Sequence, residues 1–157
     1  MVPELRATRL MEIAARAQNE FGGDLRAGLA GPLTKVRQAL KRFPNIGDPG
    51  ADRILLFAGI EPVAAVPSNC PHVLVRIERG QERENYGVTY REAQEAIEAE
   101  VPKSFDARTR AYLLVKWHGQ TICKRSNPKC DGCPVSSSCA FFAGKRRGSS
   151  TSAKPRG

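Results

Sequence analysis

Cys123-Lys124-Arg125-Ser126-Asn127-Pro128-Lys129-Cys130-Asp131-Gly132-Cys133-Pro134-Val135-Ser136-Ser137-Ser138-Cys139 gathers all but one of the cysteines of this 157-residue chain. The spacing is C-x6-C-x2-C-x5-C. Thiolates this close together in sequence can close around a single soft inorganic centre. Zinc is the first alternative. Structural zinc sites mostly use two close Cys/His pairs separated by a longer stretch. Here one close pair, Cys130 and Cys133, has a single cysteine on each side, and no histidine lies between Cys123 and Cys139. An uneven, all-cysteine loop suits a cubane 4Fe-4S cluster, whose irons sit at separate corners and take thiolates from several directions. Cys123, Cys130, Cys133 and Cys139 are the expected ligands. Clustering of this kind reads as metal binding in a cytosolic chain, not as a disulfide framework. Cys70 stands apart and is expected to be a buried small hydrophobe. His72 and His118 are expected to be structural or surface residues, not ligands.

The segment between the first two cysteines carries Lys124, Arg125 and Lys129 and no acid. A cluster would pin it and present its cations on a rigid projection, a good device for contacting phosphates. It is equally a solvated basic loop that offsets cluster charge, and charge alone does not choose between the two.

Upstream of the cysteines the pattern is helical. Asp106 is placed to cap a helix with Leu113, Leu114 and Trp117 inward and Gly119 at its end. Thr89 and Glu92 have the spacing of a capping box, opening a helix through Ala99. Ser68 or Asn69 can cap a helix with Pro71 in its first turn, although the run His72–Ile77 would also permit a short strand. Nearer the N-terminus, Leu10, Ile13, Ala14, Ala17 and Phe21 recur at helical spacing until Gly22-Gly23. Asp24 can cap a short turn, and Pro32 suits the first turn of a helix whose apolar face is Leu33, Val36, Leu40 and Phe43. The spacing resumes at Ala51, Ile54, Leu55 and Ala58. The fold class is therefore all-α. No internal repeat is visible.

The chain carries a net charge of +9, with a hydrophobic content of 41% that is ordinary for a globular protein. A polyanion partner follows from the charge. Much of that charge is local, since Lys145, Arg146, Arg147, Lys154 and Arg156 lie in a tail without acids. No apolar run approaches a membrane span, and the N-terminus lacks a signal pattern. A cytoplasmic monomer without a membrane partner is expected.

Between the two helices nearest residue 45 lies Phe43-Pro44-Asn45-Ile46-Gly47-Asp48-Pro49-Gly50. It resembles a helix-hairpin-helix motif. Residues that tolerate left-handed angles turn the chain tightly, and the next helix adds its positive end. Together they can hold a DNA phosphate without reading a base. Asn45 stands where glycine is usual, and asparagine is the next best residue for such angles.

The hairpin, Trp117-His118-Gly119 and the cysteine spacing together resemble the endonuclease III-like helix-hairpin-helix DNA glycosylases with an iron–sulfur loop. The resemblance runs from about Arg6 to Phe142. It implies two helical domains with a cleft between them, duplex DNA as partner, a 4Fe-4S cluster, and excision of a flipped, damaged base in base-excision repair. Residues 1–66 would be a partial first domain holding the hairpin at about 40–58. Residues 67–142 would be the second, with the cluster loop at 123–139, and 143–157 a disordered basic tail. Asn45, Ile46, Gly47, Gly50, Lys124, Arg125 and Lys129 would contact DNA. The stretch before the hairpin is shorter than the family normally has, so part of the first domain is expected to be absent.

The family's chemistry needs a lysine just after the hairpin, which forms a Schiff base, and an aspartate at the start of a later helix. Counting from Gly47 places Pro49 or Gly50 at the lysine. The aspartate position falls on Pro67, or on Cys70 if His72 is matched to the family's histidine. Neither offers the required group. Asp48 and Asp52 are the nearest replacements, but read better as a helix cap and a solvent-facing residue. Nothing near Cys70 in sequence clearly activates a thiol. Three functions remain open: a glycosylase with altered catalytic residues, a non-catalytic DNA-binding module, and a cluster-based redox sensor.

Overall fold

The computed structural model describes residues 3–150. It is all-helical, with eight α-helices and two short 3-10 turns and no strand among the described residues. The chain divides into two compact units, one ending at Val63 and one starting at Ala64. Among the described residues no helix is long and apolar enough to cross a membrane.

In the first unit α1 spans Pro3–Phe21 and stops where the glycines require it. Gly22 and Gly23 have φ of 59° and 82°, angles that cost other residues steric energy. Asp24 caps the short α2, Leu25–Gly28, its Oδ1 accepting from the Ala27 N–H at 3.0 Å. Helix α3, Leu33–Lys41, is preceded by Pro32 at the cap position itself. Helix α4, Asp48–Phe57, packs on α3.

Val36, Leu40, Phe43, Ala51, Leu55 and Leu56 form the interior of this unit. Phe43 also stacks on Phe21, with ring centroids 5.9 Å apart, and lies under the Arg16 guanidinium. The expected inward face of α1 is not buried. No α1 residue is, and Leu10 and Met11 are 66% and 73% exposed.

In the second unit α5 spans Pro71–Arg79, so the ambiguous β-branched run is helical. Gly80, at φ 84°, ends it. Its cap position is Cys70, with no side-chain bond, in place of the expected Ser68 or Asn69. Helix α6, Tyr86–Glu100, is capped by Asn85, whose Oδ1 accepts from the Val88 N–H at 3.2 Å. The capping box expected at Thr89 and Glu92 is not formed. Thr89 instead bonds the Arg83 backbone, and Glu92 receives Arg79 and Arg83 at 2.8 and 2.9 Å.

Helix α7, Phe105–Thr121, is capped by Ser104, and Asp106 lies in its first turn. It runs past Gly119. Its buried residues are Arg108, Tyr112, Val115 and Gly119, while Leu113, Leu114 and Trp117 are 50%, 59% and 57% exposed, the reverse of the expectation. The turn Cys130–Gly132, the turn Ser136–Ser138 and helix α8, Ala140–Ser150, complete the described residues. Helix α8 therefore takes in residues 143–150, which composition assigned to a disordered tail. Residues 151–157 lie outside the described residues.

Helix α5 is the centre of this unit and packs on α6, α7 and α8. Ala64, Val66, Val75, Tyr90, Ala93 and Ile97 form one core between α5 and α6. Cys70, Val73 and Val115 form another between α5 and α7. Two cores on one short helix fix its direction. That direction places the cysteine loop, which returns from the end of α7 to α5.

Candidate metal centre and hairpin

The loop leaves α7 at Ile122 and turns at once. The N–H groups of Lys124 and Lys129 both donate to the Ile122 carbonyl, at 2.9 and 3.0 Å. This closes the basic segment into a compact loop and brings Cys130 back towards Cys123. Two further tight turns follow, with Cys133 N–H on Cys130 O at 3.1 Å and Cys139 N–H on Ser136 O at 3.3 Å. Aspartate and glycine within the first and serines within the second suit such turns.

Cys123, Cys130, Cys133 and Cys139 consequently line one cavity, whose apolar walls include Ile77, Ile122, Val135, Phe141 and Phe142. All are free thiols of intermediate exposure. His118 Nε2 lies 3.6 Å from Cys133 Sγ, and Arg76 Nη1 lies 3.8 Å from Cys123 Sγ. Burial pushes the Cys123 thiol up, and the Arg76 guanidinium opposes that shift. Burial also raises Cys130.

No three His, Cys, Asp or Glu side chains among the described residues are close enough to hold one metal ion. The four thiols share the lining of one cavity. An all-cysteine donor set is the one a multi-iron cluster takes, with separate irons held by separate thiolates.

His72, read as structural, is 2% exposed. Its Nε2 bonds the Cys123 carbonyl at 2.7 Å, which makes Nε2 the protonated nitrogen. Its Nδ1 is buried without a partner. Burial lowers its pKa, and the bond to the Cys123 carbonyl opposes that shift. Cys70 is 1% exposed and its thiol is pushed up by burial. It is a core residue, as its sequence context suggested, and not a nucleophile.

The hairpin of the other unit is a tight left-handed turn. Asn45 has φ 63°, the one positive value among described residues other than glycine. The Ile46 N–H donates to Phe43 O at 3.2 Å. Gly47 occupies the cap position of α4 without a side-chain cap, and the Ala51 N–H returns to its carbonyl at 2.9 Å. Gly50 lies in the first turn, where a Cβ would stand 3.3 Å from Ile46 Cγ2.

Asp48 does not cap. It pairs with Lys41 at 2.7 Å on the exposed side of the hairpin. Asp52 is not solvent-facing but 1% exposed, and it pairs with Arg37 across the two helices. Both carboxylates are engaged in ion pairs. Composition alone could not have signalled the Asp52 pairing, because its partner lies in the preceding helix.

No protein-family model matches the chain. It is 25% identical over 142 residues to the thymine/uracil-DNA glycosylase of Pyrobaculum aerophilum, covering 90% of this chain and 58% of that protein. It is 28% identical over 107 residues to endonuclease III of Rickettsia conorii, covering 67% of this chain and 47% of that protein. The chain thus spans about half the length of the curated relatives it matches.

Among solved structures, a non-covalent endonuclease III–DNA complex superposes with a TM-score of 0.66 at 19% identity, over 90% of this chain and 59% of that one. A trapped endonuclease III–DNA covalent intermediate, an estranged-adenine complex, gives 0.64 at 20%, over 90% and 60%. The chain has the endonuclease III fold and is endonuclease III-like, resembling the DNA glycosylases of that kind.

Proposed function

We propose that this chain is a base-excision-repair protein of the endonuclease III type, binding duplex DNA and carrying a 4Fe-4S cluster. The observation that carries the reading is the cysteine set, C-x6-C-x2-C-x5-C, lining one cavity at the end of an endonuclease III-like fold. Cys123, Cys130, Cys133 and Cys139 would hold the cluster. When bound, it supplies a rigid, redox-capable inorganic anchor for the loop.

The DNA-contacting residues are Asn45, Ile46, Gly47 and Gly50 at the hairpin, and Lys124, Arg125 and Lys129 on the cysteine loop. Exposed Gly47 at an uncapped helix start supports the first set. The exposure of all three cations supports the second, although Arg125 also meets Glu82 at 3.2 Å. Schiff-base chemistry has no candidate lysine at the position after the hairpin. A protein of this kind would work as a monofunctional glycosylase with an unassigned carboxylate. A second reading, a non-catalytic module for bent or damaged duplex, is favoured by the burial of both Pro67 and Cys70, the two residues that fall where the aspartate is expected.

The test is fluorescence titration of the iron-replete protein onto a labelled duplex over a range of salt. Removing Lys124, Arg125 or Lys129 is expected to lower the slope of log K against log salt by about 0.9 each. Unchanged slopes would take the loop off the DNA. Cys130→Ala is expected to lose the iron and its visible absorbance, and full retention of both would remove the cluster assignment.

A further inference from the structure

The sequence gives the inorganic group the task of pinning the basic segment between Cys123 and Cys130. The geometry points to a different agent. We infer that Arg76 is a positioning residue that fixes this segment and Cys123 on helix α5, whether or not the cluster is bound. The inference rests on the proposed function only in taking Cys123 as a ligand.

Arg76 is 6% exposed. Its Nη1 donates to the Lys124 carbonyl at 3.0 Å, and its Nη2 donates to the Arg125 carbonyl at 2.9 Å. The same Nη2 meets Glu82 Oε1 at 2.9 Å, and the second Glu82 oxygen meets Arg125 Nη2 at 3.2 Å. The guanidinium lies 4.8 Å from the Phe141 ring centroid, over its face. One turn back on α5, His72 holds the Cys123 carbonyl at 2.7 Å. Two side chains four residues apart share a helix face. Together they bind the carbonyls of Cys123, Lys124 and Arg125.

Those three carbonyl bonds use no thiol, although the same Nη1 also lies 3.8 Å from Cys123 Sγ. A buried guanidinium needs several partners to offset its desolvation, and the rigid fork of donors supplies them in fixed directions. The remaining ligands are tied differently. Cys130, Cys133 and Cys139 sit on short turns closed by local backbone bonds. Arg76 reaches that half only through its own carbonyl, which lies 3.6 Å from Cys139 Sγ. The loop is therefore built in two halves. Protein side chains order the first, with its cations, and the inorganic group, when bound, would order the second.

Hydrogen exchange read by mass spectrometry on the full chain tests this, comparing iron-replete protein with the same protein after chelation. Chelation is expected to speed exchange in peptides covering 130–139 and to leave 122–129 within about twofold. The Lys124 and Lys129 amides report residues 122–129. Arg76→Gln is expected to speed exchange of 122–129 by about tenfold or more even with iron present, the scale of one lost charge-assisted bond. Arg76→Lys keeps the charge but not the fork, and is expected not to rescue.

Should Arg76→Gln fail to fold, Glu82→Gln leaves Arg76 in place and is expected to speed exchange of the same segment. Free exchange of 122–129 in chelated wild-type protein overturns the inference. So does full protection in Arg76→Lys, or an unaltered segment in Glu82→Gln. Iron content and duplex affinity of the same samples test the proposed function separately.

Discussion

Gly119 faces the Cys70 thiol so closely that a Cβ at position 119 would lie 2.6 Å from Sγ and 3.0 Å from Val73 Cγ2. The end of α7 and the start of α5 approach each other through this gap. The glycine is a packing requirement of the core that holds the cysteine loop. Gly119→Ala is expected to destabilise the protein by about 1–3 kcal/mol, the usual cost of overpacking a tight interior. Urea unfolding of the iron-replete protein measures it, and an unshifted midpoint would contradict the contact.

Asp48 stands at the first position of α4 with its carboxylate on Lys41. An anion there is favourable to the helix, and it adds negative charge beside the hairpin proposed to hold a phosphate. Asp48→Asn is therefore expected to raise duplex affinity several-fold at low salt, with less effect at high salt, while slightly lowering thermal stability. A fall in affinity would mean that the carboxylate orients the hairpin for binding instead of competing with the ligand.

Arg108 is 2% exposed and grips Glu98 with two bonds of 2.8 and 2.5 Å. The guanidinium holds the Glu98 carboxyl below the usual carboxylate range. Because the folded value is depressed, this stabilisation is complete above the unfolded value of about 4.3 and is lost as pH falls towards the folded one. Glu98 is largely exposed, so solvent screening keeps the effect small. The stability difference between wild type and Glu98→Gln is expected to shrink between pH 7 and pH 3.5. A difference that is constant or grows on acidification is incompatible with this pairing.

The all-helical class, the cysteine set and the left-handed turn at Asn45 were legible in the sequence because each has a local cause. Helix α7 shows where local reasoning ends. Its apolar residues Leu113, Leu114 and Trp117 suggested an inward face, yet the buried stripe is Arg108, Tyr112, Val115 and Gly119. That stripe contains an arginine that is buried because Glu98 pairs with it, and a glycine that is buried because Cys70 needs the room. Periodicity counts apolar side chains and registers neither cause. Asp52 is the same lesson in the other unit, since its burial depends on Arg37. The hold of Arg76 on residues 124 and 125 depends on a contact across nearly fifty positions, which no spacing rule reaches.

The account turns on whether this chain engages duplex DNA without a Schiff-base nucleophile. The most direct measurement is a gel assay of iron-replete protein with a duplex carrying an abasic site, run with and without borohydride and over a range of salt. The account predicts a salt-sensitive shifted band and no covalent complex trapped by borohydride. A trapped complex would show that an amine elsewhere in the chain replaces the missing lysine. The absence of any shift at low salt would contradict DNA binding itself.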